Sequence, residues 1–266
     1  MVRELFRSSA RTSEGPDGRH WEIDALRGLA IVMMVVYHLM YDLYYFKVSD
    51  AIFTNRFWFY FQRTTATLFI ILMGISLTLN YSRSLQQGRE VRYRTFLQRG
   101  VRLFAWGLVI TAVTWLVLGP ALAIRFGILH FMGVSILIVY PFLRYRWPNL
   151  LLGAVLIGLG KYLQSQTFDL PWLVWLGFEP ANHAYLDYFP LIKWFGVVLL
   201  GIFAGNLLYP ENHPIMRLPD LSQLWPVPLL RQLGHRSLAI YLIHQPLLFA
   251  ILVPTLLVLG VGEVTF

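Results

Sequence analysis

Residues 21–46 read WEIDALRGLAIVMMVVYHLMYDLYYF, and the way this stretch can be solvated decides the fold. It opens on charge at Glu22, Asp24 and Arg27, then runs apolar to Phe46. His38 and Asp42 are the only acidic or basic side chains inside the run. At 1.5 Å per residue such a helix crosses a hydrocarbon core of roughly 30 Å. Polar groups inside a spanning helix are costly and by default mark a functional site. Their spacing adds direction. Arg27 and His38 stand eleven residues apart, which at about 100° per residue returns to nearly the same face, roughly 16 Å further along. Asp42 follows His38 at i+4 on that face. One side of one helix thus carries a cation near a membrane surface and a base deep inside.

The rest of the chain agrees with a bilayer setting. The 266 residues are 57% hydrophobic, 16% aromatic and only 14% charged, with mean hydropathy +0.56. A soluble domain carries about 25% charged residues. The expectation is all-α, a polytopic transmembrane helical bundle of about seven spans at 25–46, 57–80, 100–119, 124–143, 148–164, 190–209 and 236–260. Residues 1–20 are polar and broken by Gly-Pro and Asp-Gly, which predicts a flexible cytoplasmic tail and no cleaved signal. Residues 21–266 then form a single transmembrane domain. The absence of cysteine excludes disulfides, thiolate catalysis and Cys-held metals.

Orientation follows from the basic residues. With the N-terminus cytoplasmic, sixteen of the 22 Lys and Arg fall on the inner side, which favours N-inside and C-outside in a cytoplasmic membrane. The net charge of +8 then reports topology and not nucleic-acid binding. The inner loop 81–99 is arginine-rich. The outer loop 165–189 is aromatic, with Trp172, Trp175, Tyr185 and Tyr188 suited to a membrane-interface belt or to stacking on sugar rings. The inner loop 210–235 holds five prolines and reads as extended or lying on the membrane.

Four ionisable groups on three spans share a depth: His38 and Asp42 on the first, Arg63 on the second and His130 on the fourth. Burial favours pairing, and Asp42 with Arg63 is the expected ion pair. A pore-lining polar network would use the same groups. A neutral imidazole at His38, oriented by a carboxylate, is a general base near neutral pH. At the inner mouth Asp24, Arg27, Arg99 and Arg102 gather charge. Arg99 and Arg102, at i and i+3, share a face suited to phosphates, although positive-inside anchoring explains interfacial arginines equally well. The last span begins GHRSLAIYLIHQP, with Ser237, Tyr241 and His244 on one face and Pro246 freeing a carbonyl beside them. No HExxH, P-loop or GxGxxG pattern occurs, so zinc proteolysis, nucleotide hydrolysis and Rossmann binding find no support.

These pieces resemble a known family. Asp24, Arg27, Gly28 and His38, as D-x-x-R-G with the later His, resemble the first helix of the transmembrane acyltransferase superfamily. WEIDALRGLAIVMMVVYH, LFIILMGISLTLNYSR, RFGILHFMGVSIL, the stretch Phe189 to Asn206 and LGHRSLAIYLIHQP, in that order, look more closely like prokaryotic relatives of heparan-α-glucosaminide N-acetyltransferase. The resemblance implies that cytosolic acetyl-CoA enters a helical bundle and that its acetyl group passes to an amine or hydroxyl of an outward-facing sugar or surface glycan. It implies that Arg27, Arg99 and Arg102 hold the CoA phosphates and that His38 is the catalytic base. Asp42, Arg63, Asp24 and His244 would set the electrostatics, and His130 would assist at the acceptor or thioester oxygen. The family's lysosomal animal branch has Asn at the place of His38 and an active His in its outer loop. Loop 47–56 here holds no His, so the part falls to His38 or to His130. Direct attack and an acyl-His intermediate both fit these residues. No metal is implied; the expected partners are the bilayer, acetyl-CoA and a glycan acceptor, with a homodimer open. The rival class is a proton- or solute-conducting transporter, which needs no arginine mouth for CoA.

Overall fold

The structure is a computed structural model that describes residues 20–181, 185–215 and 219–262. The expected tail at 1–20 lies, apart from His20, outside the described residues. Nine α-helices run through them: α1 Trp21–Tyr45, α2 Ala51–Thr54, α3 Arg56–Gln86, α4 Tyr93–Leu118, α5 Ile128–Val139, α6 Trp147–Gln164, α7 Leu191–Leu208, α8 Val227–His235 and α9 Ser237–Leu259. Short 3-10 turns add Tyr140–Phe142, Pro171–Leu176 and Pro210–Asn212. No strand occurs among the described residues. The protein is an all-helical membrane bundle. Helices α1, α3, α4, α7 and α9 are long and apolar enough to cross a membrane, and α5 with its 3-10 extension is a shorter apolar helix. Each of the seven expected spans has a helix in its place.

The chain divides into two compact units. One comprises Met1–Leu72 with Met216–Phe266, and the other Met73–Ile215. The division falls within α3, which contributes its first part to one unit and the rest to the other.

The first unit is built around α1. Its buried side carries the small residues Gly28 and Ala30 and the acidic Glu22, Asp24 and Asp42, whereas its exposed side is aliphatic. Gly28, Ala30, Ile31 and Met34 are buried, whereas Leu26, Leu29, Val32 and Val36 remain exposed. The small face admits α8 at very short range. A Cβ added at Gly28 would stand 1.9 Å from the Leu230 carbonyl oxygen, and one at Gly234 2.0 Å from the Asp24 carbonyl oxygen. Residues 24 and 28 of α1 thus face 234 and 230 of α8, which makes the pair antiparallel. Further along, α1 meets α9, where the Phe46 and Phe249 rings lie 5.4 Å apart.

Helix α8 shows that the end of the segment 210–235, read as extended or partly lying on the membrane, is helical at Val227–His235. Pro228 sits in its first turn, where the missing N–H has no intrahelical partner to lose. The prolines therefore start a helix there instead of preventing one.

In the second unit α4 packs on α5 and α6 on α7. Fully buried Asn149 donates to the carbonyls of Phe142 (2.9 Å) and Tyr145 (2.5 Å), fixing the turn between α5 and α6. Between α6 and α7 the Tyr188 hydroxyl donates to the Val174 carbonyl at 2.5 Å. Burial pushes this phenol's pKa upward, and nearby Glu179 acts in the same direction.

Candidate functional site

The first unit collects most of the expected site residues along α1. At its start the Arg27 guanidinium donates through Nη1 to Asp24 Oδ1 at 3.0 Å. The other carboxylate oxygen, Oδ2, lies 2.8 Å from Nε2 of His235 at the end of α8. Asp24 is buried, and both of its oxygens are engaged. Charged hydrogen bonds of this kind fix geometry as well as contribute energy. His235 stands outside the expected set. Its signal was the quoted GHRSLAIYLIHQP itself, which carries a histidine nine residues before His244.

Three turns deeper, His38 is half-buried. Its Nδ1–H donates to the Met34 carbonyl at 2.8 Å. That bond assigns the tautomer and leaves Nε2 as the basic nitrogen. A backbone carbonyl one turn back, and not a carboxylate, therefore orients this imidazole. His244 on α9 makes the same choice, with Nδ1–H donating to the Tyr241 carbonyl at 2.6 Å. The two imidazoles meet edge to face, centroids 4.7 Å apart at 73°.

Asp42 lies 1% exposed. The expected ion pair with Arg63 is not formed. Gln245 of α9 donates through Nε2 to Asp42 Oδ1 at 2.6 Å instead, while exposed Arg63 stacks its guanidinium 4.1 Å above the Phe59 ring. The reason is physical: a neutral amide from a packed helix reaches the buried carboxylate without itself bringing a charge out of water. Asp42 Oδ2 and Gln245 Oε1 are buried with no hydrogen-bond partner among the described residues. Both are acceptors, so whatever satisfies them must donate. Gln245 was legible only as the neighbour of His244.

The second unit holds the remaining candidates. His130 occupies the first turn of α5, where its Nδ1 accepts the Gly127 N–H at 3.3 Å. Its Nε2 lies 3.4 Å from Thr111 Oγ1, which donates to the Ile124 carbonyl at 2.6 Å. The ring stacks on Phe126, meets Phe104 edge-on and rests on Gly107, where a Cβ would come within 2.9 Å of it. Both imidazole nitrogens are thus used in holding the helix start. Arg99 and Arg102 are exposed on α4. Among the described residues no three His, Asp or Glu stand together to hold a metal ion.

The chain matches, over residues 19–246, the family model described as "Heparan-alpha-glucosaminide N-acetyltransferase, catalytic". No curated protein and no solved structure matches it. The match covers α1 with Asp24, Arg27, His38 and Asp42, and reaches α9 as far as His244 and Gln245. The chain belongs to the heparan-α-glucosaminide N-acetyltransferase catalytic family, a family of acetyltransferases.

Proposed function

We propose that the protein takes an acetyl group from cytosolic acetyl-CoA and passes it to an amine or hydroxyl of an outward-facing sugar, with His38 as general base. The observation that carries this reading is the His38 tautomer. Its Nδ1–H is committed to the Met34 carbonyl, so Nε2 offers a lone pair from within a largely apolar helix. An acceptor N–H or O–H attacks the thioester carbonyl and a new C–N or C–O bond forms. The acceptor proton passes to His38 Nε2. The C–S bond then breaks, and the CoA thiolate takes a proton to leave as the thiol. His244, edge to face with His38, confines the imidazole to one orientation. Asp42 and Gln245 present two unsatisfied acceptors near the same helices, suited to the donor groups of an acceptor sugar.

Arg27, held by Asp24, is assigned to the CoA phosphates, and the distribution of Lys and Arg favours placing it at the cytoplasmic surface. His130 is assigned a supporting part, because holding the start of α5 occupies both of its nitrogens.

Calorimetry of acetyl-CoA on the detergent-purified chain tests this reading, with wild type beside Arg27→Ala and His38→Ala. Wild type is expected to bind, Arg27→Ala to bind more weakly and His38→Ala to bind as wild type does. A folded wild type that shows no binding at millimolar acetyl-CoA overturns the reading; solute flux in vesicles would then mark a transporter.

A further inference from the structure

We propose that residues 221–235 form a re-entrant membrane element. Its uncharged part, 221–230, dips among the lipid acyl chains beside α1, and its basic end returns to the membrane surface.

The register with α1 sets the depth. Leu230 stands against Gly28 and Gly234 against Asp24. Continuing this antiparallel register by three residues brings Val227 level with Ile31. At that level the exposed side of α1 is Leu26, Leu29 and Val32, which is a lipid-facing surface. A helix of 25 residues that crosses about 30 Å of hydrocarbon has few residues to spare at either end. The start of α8 therefore lies on the hydrocarbon side of Arg27, about 12 Å along the axis from His235. Nine residues are too few to cross, so α8 runs back to the surface, where α9 begins at Ser237.

Composition follows the same depth. Residues 221–230 read LSQLWPVPLL and carry no charge, whereas Asp220 precedes them and Arg231, His235 and Arg236 follow. The apolar side chains point outward: Trp225 is 85% exposed, Leu224 59% and Leu229 50%. Ser222 is turned inward, which leaves Gln223 as the polar side chain exposed in this stretch. Such a surface is costly in water and favoured against acyl chains.

Backbone in hydrocarbon must also find partners for its N–H groups. The Ser222 N–H donates to Asp220 Oδ1 at 3.0 Å. Leu224 donates to the Leu221 carbonyl at 2.9 Å, Val227 to Leu224 at 2.8 Å and Leu230 to Pro226 at 3.1 Å. Pro226 and Pro228 have no N–H to satisfy. Tight turns and prolines thus remove donors that would keep this stretch out of lipid, which gives the proline-rich connection a physical reason.

The test uses the chain's lack of cysteine. A fluorescent label is attached to Trp225→Cys or Leu229→Cys in phosphatidylcholine nanodiscs, which open both membrane faces to solutes. Exposed Gln87→Cys between α3 and α4 is the aqueous reference, and exposed Val109→Cys within α4 is the lipid reference. Each label is quenched in turn by iodide, by a nitroxide on the lipid headgroup and by a nitroxide on the acyl chain. The labels at 225 and 229 are expected to lose most of the iodide quenching seen at 87. They should be quenched more by the chain nitroxide than by the headgroup nitroxide, as at 109. A label at exposed Gln232→Cys should show the opposite order. Iodide quenching at 225 and 229 equal to that at 87 puts the segment in water and overturns the proposal. Stronger quenching from the headgroup than from the chain overturns it as well, because the element then lies flat on the surface. Protection from all three quenchers marks cover by protein, such as a second copy of the chain, and is equally fatal. Each variant is compared with wild type by elution and melting temperature; if Trp225→Cys fails that check, Leu229→Cys decides.

Discussion

The imidazoles of His38 and His130 differ in one hydrogen bond, and that bond decides what each can do. His38 gives its Nδ1–H to Met34 and keeps a basic Nε2. His130 spends its Nδ1 lone pair on the Gly127 N–H, which leaves no base. His38→Gln is therefore expected to lower acetyl transfer by at least about 100-fold, the usual loss for a general base. Acetyl-CoA affinity should stay within about 2-fold, so turnover and calorimetry together check the assignment. His130→Ala is expected instead to cost about 1–3 kcal/mol of stability through the unpaired Gly127 N–H, read as a lower melting temperature in detergent. Asp42 and Gln245 allow a sharper test. Gln245→Leu removes a hydrogen bond to a carboxylate that is 1% exposed, and should cost about 1–3 kcal/mol or more. Replacing both partners with leucine removes the stranded group as well. The double variant should therefore melt above the single one; a double variant that melts lower would show that the carboxylate has another partner.

The helices were largely legible in the sequence, and their tertiary partners were not. Long apolar runs leave little choice but helix, so α1, α7 and α9 stand near their expected limits, while α3 continues past residue 80 to Gln86 and α4 begins before residue 100, at Tyr93. Residues 227–235 were harder. Nine residues with a proline in the first turn carry no span signal, and their role depends on the small face of α1. The i, i+4 spacing correctly put His38 and Asp42 on one face but could not say what either would bond. Asp24 finds His235 and Asp42 finds Gln245 from a helix more than 200 residues away in sequence, and no local pattern carries that pairing. The contact that brings α8 into place belongs to this scale. A methyl group at Gly28 would meet the Leu230 carbonyl at 1.9 Å, and backbone cannot turn aside as a flexible side chain can. Gly28→Ala is expected to destabilise by about 3 kcal/mol or more, seen as lost monodisperse protein or a lower melting temperature. Gly158→Ala is the matched control. Nothing lies within 4 Å of its added Cβ, and the gain in helix propensity should stabilise α6 by about 0.8–1 kcal/mol.

For the whole molecule the open quantity is which side of the membrane each loop occupies, because the proposed reaction takes its donor from one side and its acceptor from the other. The 12 residues of α5 rise only about 18 Å, short of a hydrocarbon core of roughly 30 Å. The 3-10 turn that follows must complete the crossing, or α5 and α6 must enter and leave by the same face. The chain contains no cysteine, so single cysteines report position without background. Gln87→Cys, Arg144→Cys and Gln166→Cys place thiols at exposed sites between α3 and α4, between α5 and α6, and between α6 and α7. With seven crossings and the N-terminus inside, a membrane-impermeant maleimide should label Gln166→Cys from the outside, and Gln87→Cys and Arg144→Cys only in inverted vesicles. The basic residues around Arg144 and Arg146 favour that side. Labelling of Arg144→Cys from the outside would show that neither α5 nor α6 crosses and leave five crossings. Labelling of Gln87→Cys from the outside would invert the protein. Arg27 would then lie away from cytosolic acetyl-CoA, and the donor assignment would fall even if His38 were still required for activity.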